Sequence, residues 1–292
     1  MNTLALAAFT TASEENSFSL AAEKLHLTQP GISKRIVSLE DLLGCRLFDR
    51  IGRRIYLTEA GKTFLPHAYK MLQDSQSGLN AVRNLSHTID GFLSIATTQH
   101  IGLHHLAQPV KRYILEYEEV AFNLDFLTSK QAYADVLQGK LELAVITEPS
   151  QVDEQLRFIP LWTEDLKFVC AKDHQLAKIE NISLQDLSIV QGILPDANSF
   201  TRRVIDEIFD LAALKIIPRA ASNYLEAIKM LVTAGLGWSV LPDSLIDENL
   251  KVLALDNGPL KRKIGCLIHQ DRTESNAASA FIRLLKEAPL SR

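Results

Sequence analysis

Three groups of residues in this chain have types and spacings suited to chemistry. The first is Gln29, Ser33 and Lys34, which set an amide, a hydroxyl and a cation close together. Amide and cationic groups match the acceptors on base edges in a major groove, and serine serves either role. The second group carries hydroxyls and amides: Thr97-Thr98-Gln99, Thr128-Ser129, Thr147, Asn198-Ser199-Phe200-Thr201-Arg202 and Ser222-Asn223. Such groups, with open backbone N–H donors at helix starts, suit a small carboxylate or polar metabolite. Taken singly, each of them is read as a helix cap. The third group is His100, His104 and His105. His100 and His104 stand at metal-ligand spacing on one helix face. Gln99 or Glu116 could be invoked as a third ligand, but nothing nearby supplies a convincing one. No metal site is therefore expected, and one of the histidines is read as a ligand contact. No G-x-S-x-G, H-E-x-x-H or Walker pattern occurs, and Gly235-Leu236-Gly237 reads as a turn at a helix end. No catalytic residue and no cofactor are expected.

The elements that position the first group are legible over residues 17–40. Leu20 to Leu25 form a short helical pattern with Ala21, Ala22 and Leu25 on one side, and it breaks at His26-Leu27-Thr28. A second helix starts at Thr28-Gln29-Pro30, with Thr28 as N-cap and Pro30 in the first turn, where its missing N–H costs nothing. Ile32, Ile36 and Leu39 recur at i, i+4 and i+7 and make the apolar face. Pro30, Lys34 and Val37 lie opposite, flanked by Ser33 and Ser38. This is a helix-turn-helix layout, with Gln29 to Lys34 at the start of the recognition helix. An αα-hairpin with a solvated face has the same pattern.

Composition narrows the classes. The chain has 292 residues, 47% hydrophobic and 23% charged, enough for about two domains with a sizeable core. No apolar run approaches the ~20 residues that span a bilayer. The N-terminus lacks a basic segment and carries Glu14 and Glu15 where a signal peptide would be cleaved, so it reads as a first helix. Cys45, Cys170 and Cys266 are far apart and form no C-x-x-C. Neither zinc nor a disulfide framework is indicated, Cys170 and Cys266 read as small core residues, and a redox pair is the alternative. A reducing cytoplasm is the expected location. Net charge is −4, yet Lys34, Arg35, Arg46, Arg50, Arg53 and Arg54 face only Glu40, Asp41 and Asp49 between positions 34 and 54. A basic head on an acidic body still binds phosphate, whereas a non-specific nucleic-acid coat is excluded.

Leu4 to Glu15 reads as the first helix, and Arg46 to Leu57 as a basic hairpin. Thr58 caps a long helix from Glu59 to about Leu85, roughly 40 Å at 1.5 Å per residue. Its apolar stripe runs through Phe64, Ala68, Met71 or Leu72, Leu79 and Val82, and Pro66 inside it predicts a kink. A lone helix with one apolar stripe needs a partner, its own body or a second copy. From Gly91 strands and helices alternate, the pattern of an α/β domain. Strands are predicted at 92–97, 121–127 with Phe122, Leu124 and Phe126 inward, 141–147, 161–171, 188–193, 216–220, 238–241 and 264–269. Helices are predicted at 104–117, bent near Pro109, and at 129–138, 183–187, 199–209, 224–234 and 275–287.

The stretch AAEKLHLTQPGISKRIVSLEDLLGCRLFDR, followed by RRIYLTEAG, closely resembles the N-terminal winged helix-turn-helix of LysR-type transcriptional regulators. The resemblance is nearly ungapped from about Phe9 to Ala68, and the rest of the chain has that family's length and order of elements. It implies an all-α winged helix-turn-helix with a long linker helix, then an α/β, periplasmic-binding-protein-like clamshell of two subdomains. The expected boundaries are 1–58 for the DNA-binding domain, 59–89 for the linker and 90–292 for the regulatory domain. Subdomain I covers about 90–161 and 267–292, and subdomain II about 162–266. The resemblance places DNA contacts in the helix-turn-helix, about 18–37, at Ser17, Phe18, Ser19, Thr28, Gln29, Pro30, Gly31, Ser33, Lys34 and Arg35. Arg50, Arg53 and Arg54 join them from the wing. The linker helix would pair antiparallel between subunits through Phe64, Ala68, Leu72, Leu79 and Val82. A small-molecule effector of unknown identity would sit between the subdomains, touching Thr97, Thr98, Gln99, His100, Thr128, Thr147, Ser199, Thr201 and Asn223.

The resulting expectation is an effector-responsive regulator that binds an inverted-repeat, double-stranded DNA operator as a homodimer. A homotetramer is the larger assembly expected, and RNA polymerase a candidate partner. A clamshell solute-binding protein or enzyme would have no use for residues 17–58. A DNA-bending architectural protein without an effector is the remaining alternative.

Overall fold

The computed structural model describes residues 2–52, 54–86, 88–255 and 258–290. It divides into two compact units. One is Met1–Thr88 with Gln138–Lys140 and Arg272–Ser275; the other is Ile89–Leu137, Leu141–Asp271 and Asn276–Arg292. The long linker helix thus groups with the helix-turn-helix.

The first unit opens with α1 (Thr3–Glu15), α2 (Phe18–Lys24) and α3 (Gln29–Leu43). Each has a side-chain cap at its start. Asn2 accepts from the Leu4 N–H at 2.9 Å, Ser17 from Leu20 at 3.3 Å and Thr28 from Gly31 at 3.3 Å. Left-handed Asn16 and Gly44 stop α1 and α3, and left-handed His26 turns the chain between α2 and α3. The core is Phe9, Ile32, Ile36, Leu39 and Leu47, with Ala8, Ala12, Ala21 and Ala22 letting the helices approach. Strands β1 (Phe48–Ile51) and β2 (Arg54–Leu57) form the antiparallel wing. Its base is fixed by Glu40, whose Oε1 accepts from the Leu47 N–H at 2.7 Å and the Phe48 N–H at 3.3 Å. Helix α4 (Glu59–Arg83) contains Pro66 and crosses the wing closely: a Cβ on Gly61 would lie 2.2 Å from the Leu47 carbonyl oxygen. The stripe on α4 splits in two. Phe64, Ala68, Met71 and Leu72 pack on the core of their own unit, while Leu79 and Val82 stay 51% and 69% exposed.

The second unit carries a nine-stranded mixed sheet in the order β4-β3-β5-β11-β6-β9-β7-β8, with β10 paired to β6. The strands are β3 (Gly91–Thr97), β4 (Val120–Phe126), β5 (Leu143–Thr147), β6 (Leu156–Ala171), β7 (Gly192–Pro195), β8 (Pro218–Ser222), β9 (Trp238–Pro242), β10 (Leu250–Val252) and β11 (Leu260–His269). The helices are α5 (Gln99–Ile101), α6 (Ala107–Glu116), α7 (Ser129–Gln138), α8 (Leu184–Ser188), α9 (Phe200–Leu211), α10 (Leu225–Thr233) and α11 (Asn276–Glu287). Each half has a core on both faces of the sheet. In one half Leu93, Ile95, Val145 and Phe281 oppose Ala96, Ala144 and Ile146; in the other Phe168, Cys170 and Trp238 oppose Val169 and Leu241. Successive residues of one strand alternate between these cores, as the strand period requires. The three cysteines form no disulfide, and burial pushes the Cys170 thiol up to about 11.

The long strands β6 and β11 run antiparallel from one half into the other. Glu164 and Arg262 are direct cross-strand partners in their register, and both are almost fully buried. The Arg262 Nε donates to Glu164 Oε2 at 2.7 Å, and its Nη1 donates to the Thr201 hydroxyl at 2.8 Å. Glu164 Oε1 accepts from His100 Nε2 at 3.1 Å, His105 Nε2 at 3.0 Å and the Ser244 hydroxyl at 3.2 Å. Burial opposes ionisation of Glu164, but these hydrogen bonds and the Arg262 charge outweigh it and hold the carboxyl well below the usual range.

Several sequence expectations need correction. The helix predicted over 104–117 starts at Gln99 and has its irregularity before Pro109, as a π turn over Gly102–Leu106. Pro109 cannot donate to the residue 105 carbonyl and its ring crowds it, so the mismatch is absorbed one turn upstream. The strand predicted at 188–193 is β7, shifted to Gly192–Pro195, because α8 continues to Ser188 behind a Ser183–Asp186 capping box. Phe126 is not inward: it is half-exposed at the end of β4. Strand β6 begins earlier than predicted, and β10 and a 3-10 turn at Gln175–Lys178 were not anticipated. No helix among the described residues is long and apolar enough to cross a membrane.

Replacing Arg262 with Met leaves the Glu164 carboxylate buried and uncompensated. The expected loss of stability is about 3–5 kcal/mol. Urea unfolding followed by tryptophan fluorescence, with Trp162 and Trp238 as reporters, measures it; a loss below about 1 kcal/mol would show that the pair does not hold the crossing strands.

Candidate functional sites

The first unit presents the start of α3 to solvent. Gln29, Pro30 and Lys34 are exposed, and Ser33 is half-buried beside them. Arg50 of the wing spans the gap to this helix. Its Nη2 donates to the Ser33 hydroxyl at 3.4 Å, and its guanidinium lies 5.1 Å from the centre of the Phe18 ring. Phe18 is itself core, packed edge-on against Phe48, which corrects the expectation that it contacts DNA. Arg35 folds back and donates to the Gly31 carbonyl at 3.1 Å, which takes its guanidinium from the exposed set. Ser17 and Thr28 spend their hydroxyls on caps, and Ser19 is exposed on α2. Gly31 is half-buried under Thr28 and Arg35. Arg54 is exposed on β2, and Arg53 lies outside the described residues. The arrangement is a polar helix start flanked by cations, suited to a major groove and its phosphates.

The second unit holds a cleft of about 790 Å³. It is lined by Thr98, Gln99, His100, Thr128, Thr147, Ser199, Thr201 and Asn223, all anticipated from the sequence. Thr97 is the exception, buried with its hydroxyl donated to the Val145 carbonyl at 2.8 Å. Phe126, Lys130, Asp196, Tyr224 and Arg262 also line the cleft. The starts of α5, α7, α9 and α10 meet there. Capping uses only part of the hydroxyl set. Thr128 accepts from the Gln131 N–H at 3.2 Å, but Thr98 and Ser199 make no side-chain cap bond at the helices they head. Thr201 is committed to Arg262. Converging helix starts, with the Lys130 side chain at the cleft lining, favour a small anionic group.

Four groups at or beside the cleft were not anticipated from the sequence: Glu164, Arg262, Ser244 and Glu226. Glu226, in the first turn of α10, lies 3.1 Å from His104 Nε2 and 3.5 Å from His100 Nδ1. The His100 ring beside it holds the Glu226 carboxyl at about 2. Burial, together with the neighbouring His100, lowers the His104 pKa.

Two family models together match most of the chain. "Bacterial regulatory helix-turn-helix protein, lysR family" covers residues 4–62, and "LysR substrate binding domain" covers 86–289. A probable RuBisCO transcriptional regulator of Synechocystis sp. is 31% identical over 281 residues, spanning 92% of this chain and 81% of that protein. One of Nostoc sp. is 32% identical over 279 residues, spanning 91% and 82%. Among solved structures, a full-length OxyR from Pseudomonas aeruginosa superposes with a TM-score of 0.75 at 21% identity, covering 100% of this chain and 97% of that one. Full-length CbnR in complex with its target DNA gives 0.65 at 21% identity, covering 99% and 100%. The two family models and the relatives that span most of this chain agree, and the chain belongs to the LysR-type transcriptional regulators, with a DNA-binding helix-turn-helix and an effector-binding domain.

Proposed function

We propose that this chain binds an inverted-repeat operator in the cytoplasm as a homodimer, and that a small carboxylate-bearing metabolite in the cleft alters how the dimer sits on DNA. The observation that carries the reading is the cleft itself. Four helix starts, the uncapped hydroxyls of Thr98 and Ser199, and Lys130 converge on one cavity of about 790 Å³. A ligand touching both halves favours the closed arrangement, and it shifts the equilibrium only by its difference in affinity between closed and open. The exposed Leu79 and Val82 on α4 support pairing of that helix with a second copy, while Phe64, Ala68 and Leu72 serve the core of their own unit. A homotetramer is the larger assembly in this reading.

Three experiments test it. Gln29→Ala is expected to cost specific operator binding about 1–3 kcal/mol with folding unaffected, since Gln29 lies off the Ile32–Ile36–Leu39 face. Unchanged affinity in a gel shift would move base reading elsewhere. Leu79→Asp is expected to give monomers that bind the operator poorly, and light scattering at the wild-type mass would rule out the α4 contact. For the cleft, a thermal-shift screen of small carboxylates identifies binders, because a ligand of the native state raises apparent stability. Thr98→Val should then weaken the chosen carboxylate by about 0.5–1.5 kcal/mol while operator binding persists. An undiminished shift in that variant would sink the assignment of Thr98 to the ligand.

A further inference from the structure

His100 sits between two carboxylates. Its Nε2 is 3.1 Å from Glu164 Oε1 and its Nδ1 is 3.5 Å from Glu226 Oε1. Glu164 is already paired with Arg262, and its Oε1 engages the His100 ring through Nε2, which leaves Nδ1 for the other side. That nitrogen faces the Glu226 carboxylate. The His100 side chain is only 3% exposed, and this Nδ1 has no hydrogen-bond partner. Glu226 Oε2 is likewise buried and without one. Both atoms are buried polar groups left without a partner, and such groups are costly to leave unpaired. His104 completes the group: its ring stacks on His100 at 4.6 Å, and its Nε2 is 3.1 Å from Glu226 Oε1.

We propose that His100 Nδ1, His104 Nε2 and the Glu226 carboxylate bind a divalent transition-metal ion of the zinc class. The three donor groups lie within 4.8 Å of one another. A tetrahedral zinc with bonds of about 2.0–2.1 Å requires donor separations of roughly 3.3 Å, and the two contacts to Glu226 bracket that value at 3.1 and 3.5 Å. Imidazole nitrogen with one carboxylate is a donor set suited to zinc, copper, iron or nickel. The outer shell is in place: Glu164 orients the His100 ring through its far nitrogen, and Arg262 in turn holds Glu164. A second group, His100, His105 and Glu164, is as compact, but there Arg262 already takes the carboxylate. His104 and Glu226 are 32% and 30% exposed, which leaves the ion a way in and a fourth position for water. The histidines come from the segment after β3 and Glu226 from α10, so the ion would staple the two halves of the domain beside the cleft.

The test uses the full chain, stripped with a chelator and titrated with Zn²⁺ by calorimetry and with Co²⁺ by visible absorption, without DNA or effector. One ion per chain is expected, with the absorption of a tetrahedral, thiolate-free cobalt site. His104→Gln and Glu226→Gln should each weaken binding by roughly tenfold or more, and both should remain folded by circular dichroism because both positions are partly exposed. Cys45→Ser should change nothing, which excludes the exposed thiol as the ligand. Absence of saturable binding in the wild type overturns the proposal. So does binding undiminished in either the His104 or the Glu226 variant. Because neither DNA nor a carboxylate is present, a negative result leaves the reading of the cleft standing.

Discussion

The regulatory domain depends on one buried carboxylate. Glu164 and Arg262 are neighbours across β6 and β11, the two strands that pass from half to half. Neither charge is tolerable alone in that interior, and together they fix the register at the crossing. The remaining capacity of the pair is spent outward, on His100 and His105 from one half and on Thr201 and Ser244 from the other. Elements far apart in sequence are thereby assembled around one anion, and the inner wall of the cleft is its outer surface.

The reading head obeys a different logic. Its helices are defined by local signals, a side-chain cap at each start and left-handed stops at Asn16 and Gly44. Its tertiary ties are few but specific. Glu40 grips the base of the wing, Arg50 bridges the wing to α3 over the Phe18 ring, and Gly61 lets α4 press against the Leu47 carbonyl. A side chain at Gly61 would push the linker away from the wing. The orientation of α4 is thus built into the same small core that presents Gln29 and Lys34.

What was legible in the sequence follows from this contrast. Caps, Ile32-Ile36-Leu39 periodicity and the Arg-rich wing are local, so the helix-turn-helix could be read almost residue by residue. The cleft hydroxyls were legible because they sit at strand ends and helix starts, which the alternation of elements marks. Phe18 was misassigned because an aromatic beside exposed serines looks accessible until Phe48 is folded against it. The stripe on α4 was read as one surface, although half of it is consumed by the unit it grows from. Glu164 and Arg262 went unnoticed because they are 98 residues apart and lie among ordinary charged strand residues. Glu226 is 122 residues from His104, so a search for a third histidine-cluster donor along the neighbouring chain could not reach it.

The π turn over Gly102–Leu106 has a consequence for how this segment tolerates change in length. In an α-helix, positions 100 and 105 point about 140° apart, since each residue advances about 100°. The wider π turn narrows that angle, and so helps His100 and His105 both reach one oxygen of Glu164. The extra residue behaves as a spacer and not as a defect. Most substitutions within it would keep the loop of backbone intact. Loss of a single residue would let the segment wind back to α-helix, swing the downstream histidines by about a quarter turn or more, and unthread the whole network at once.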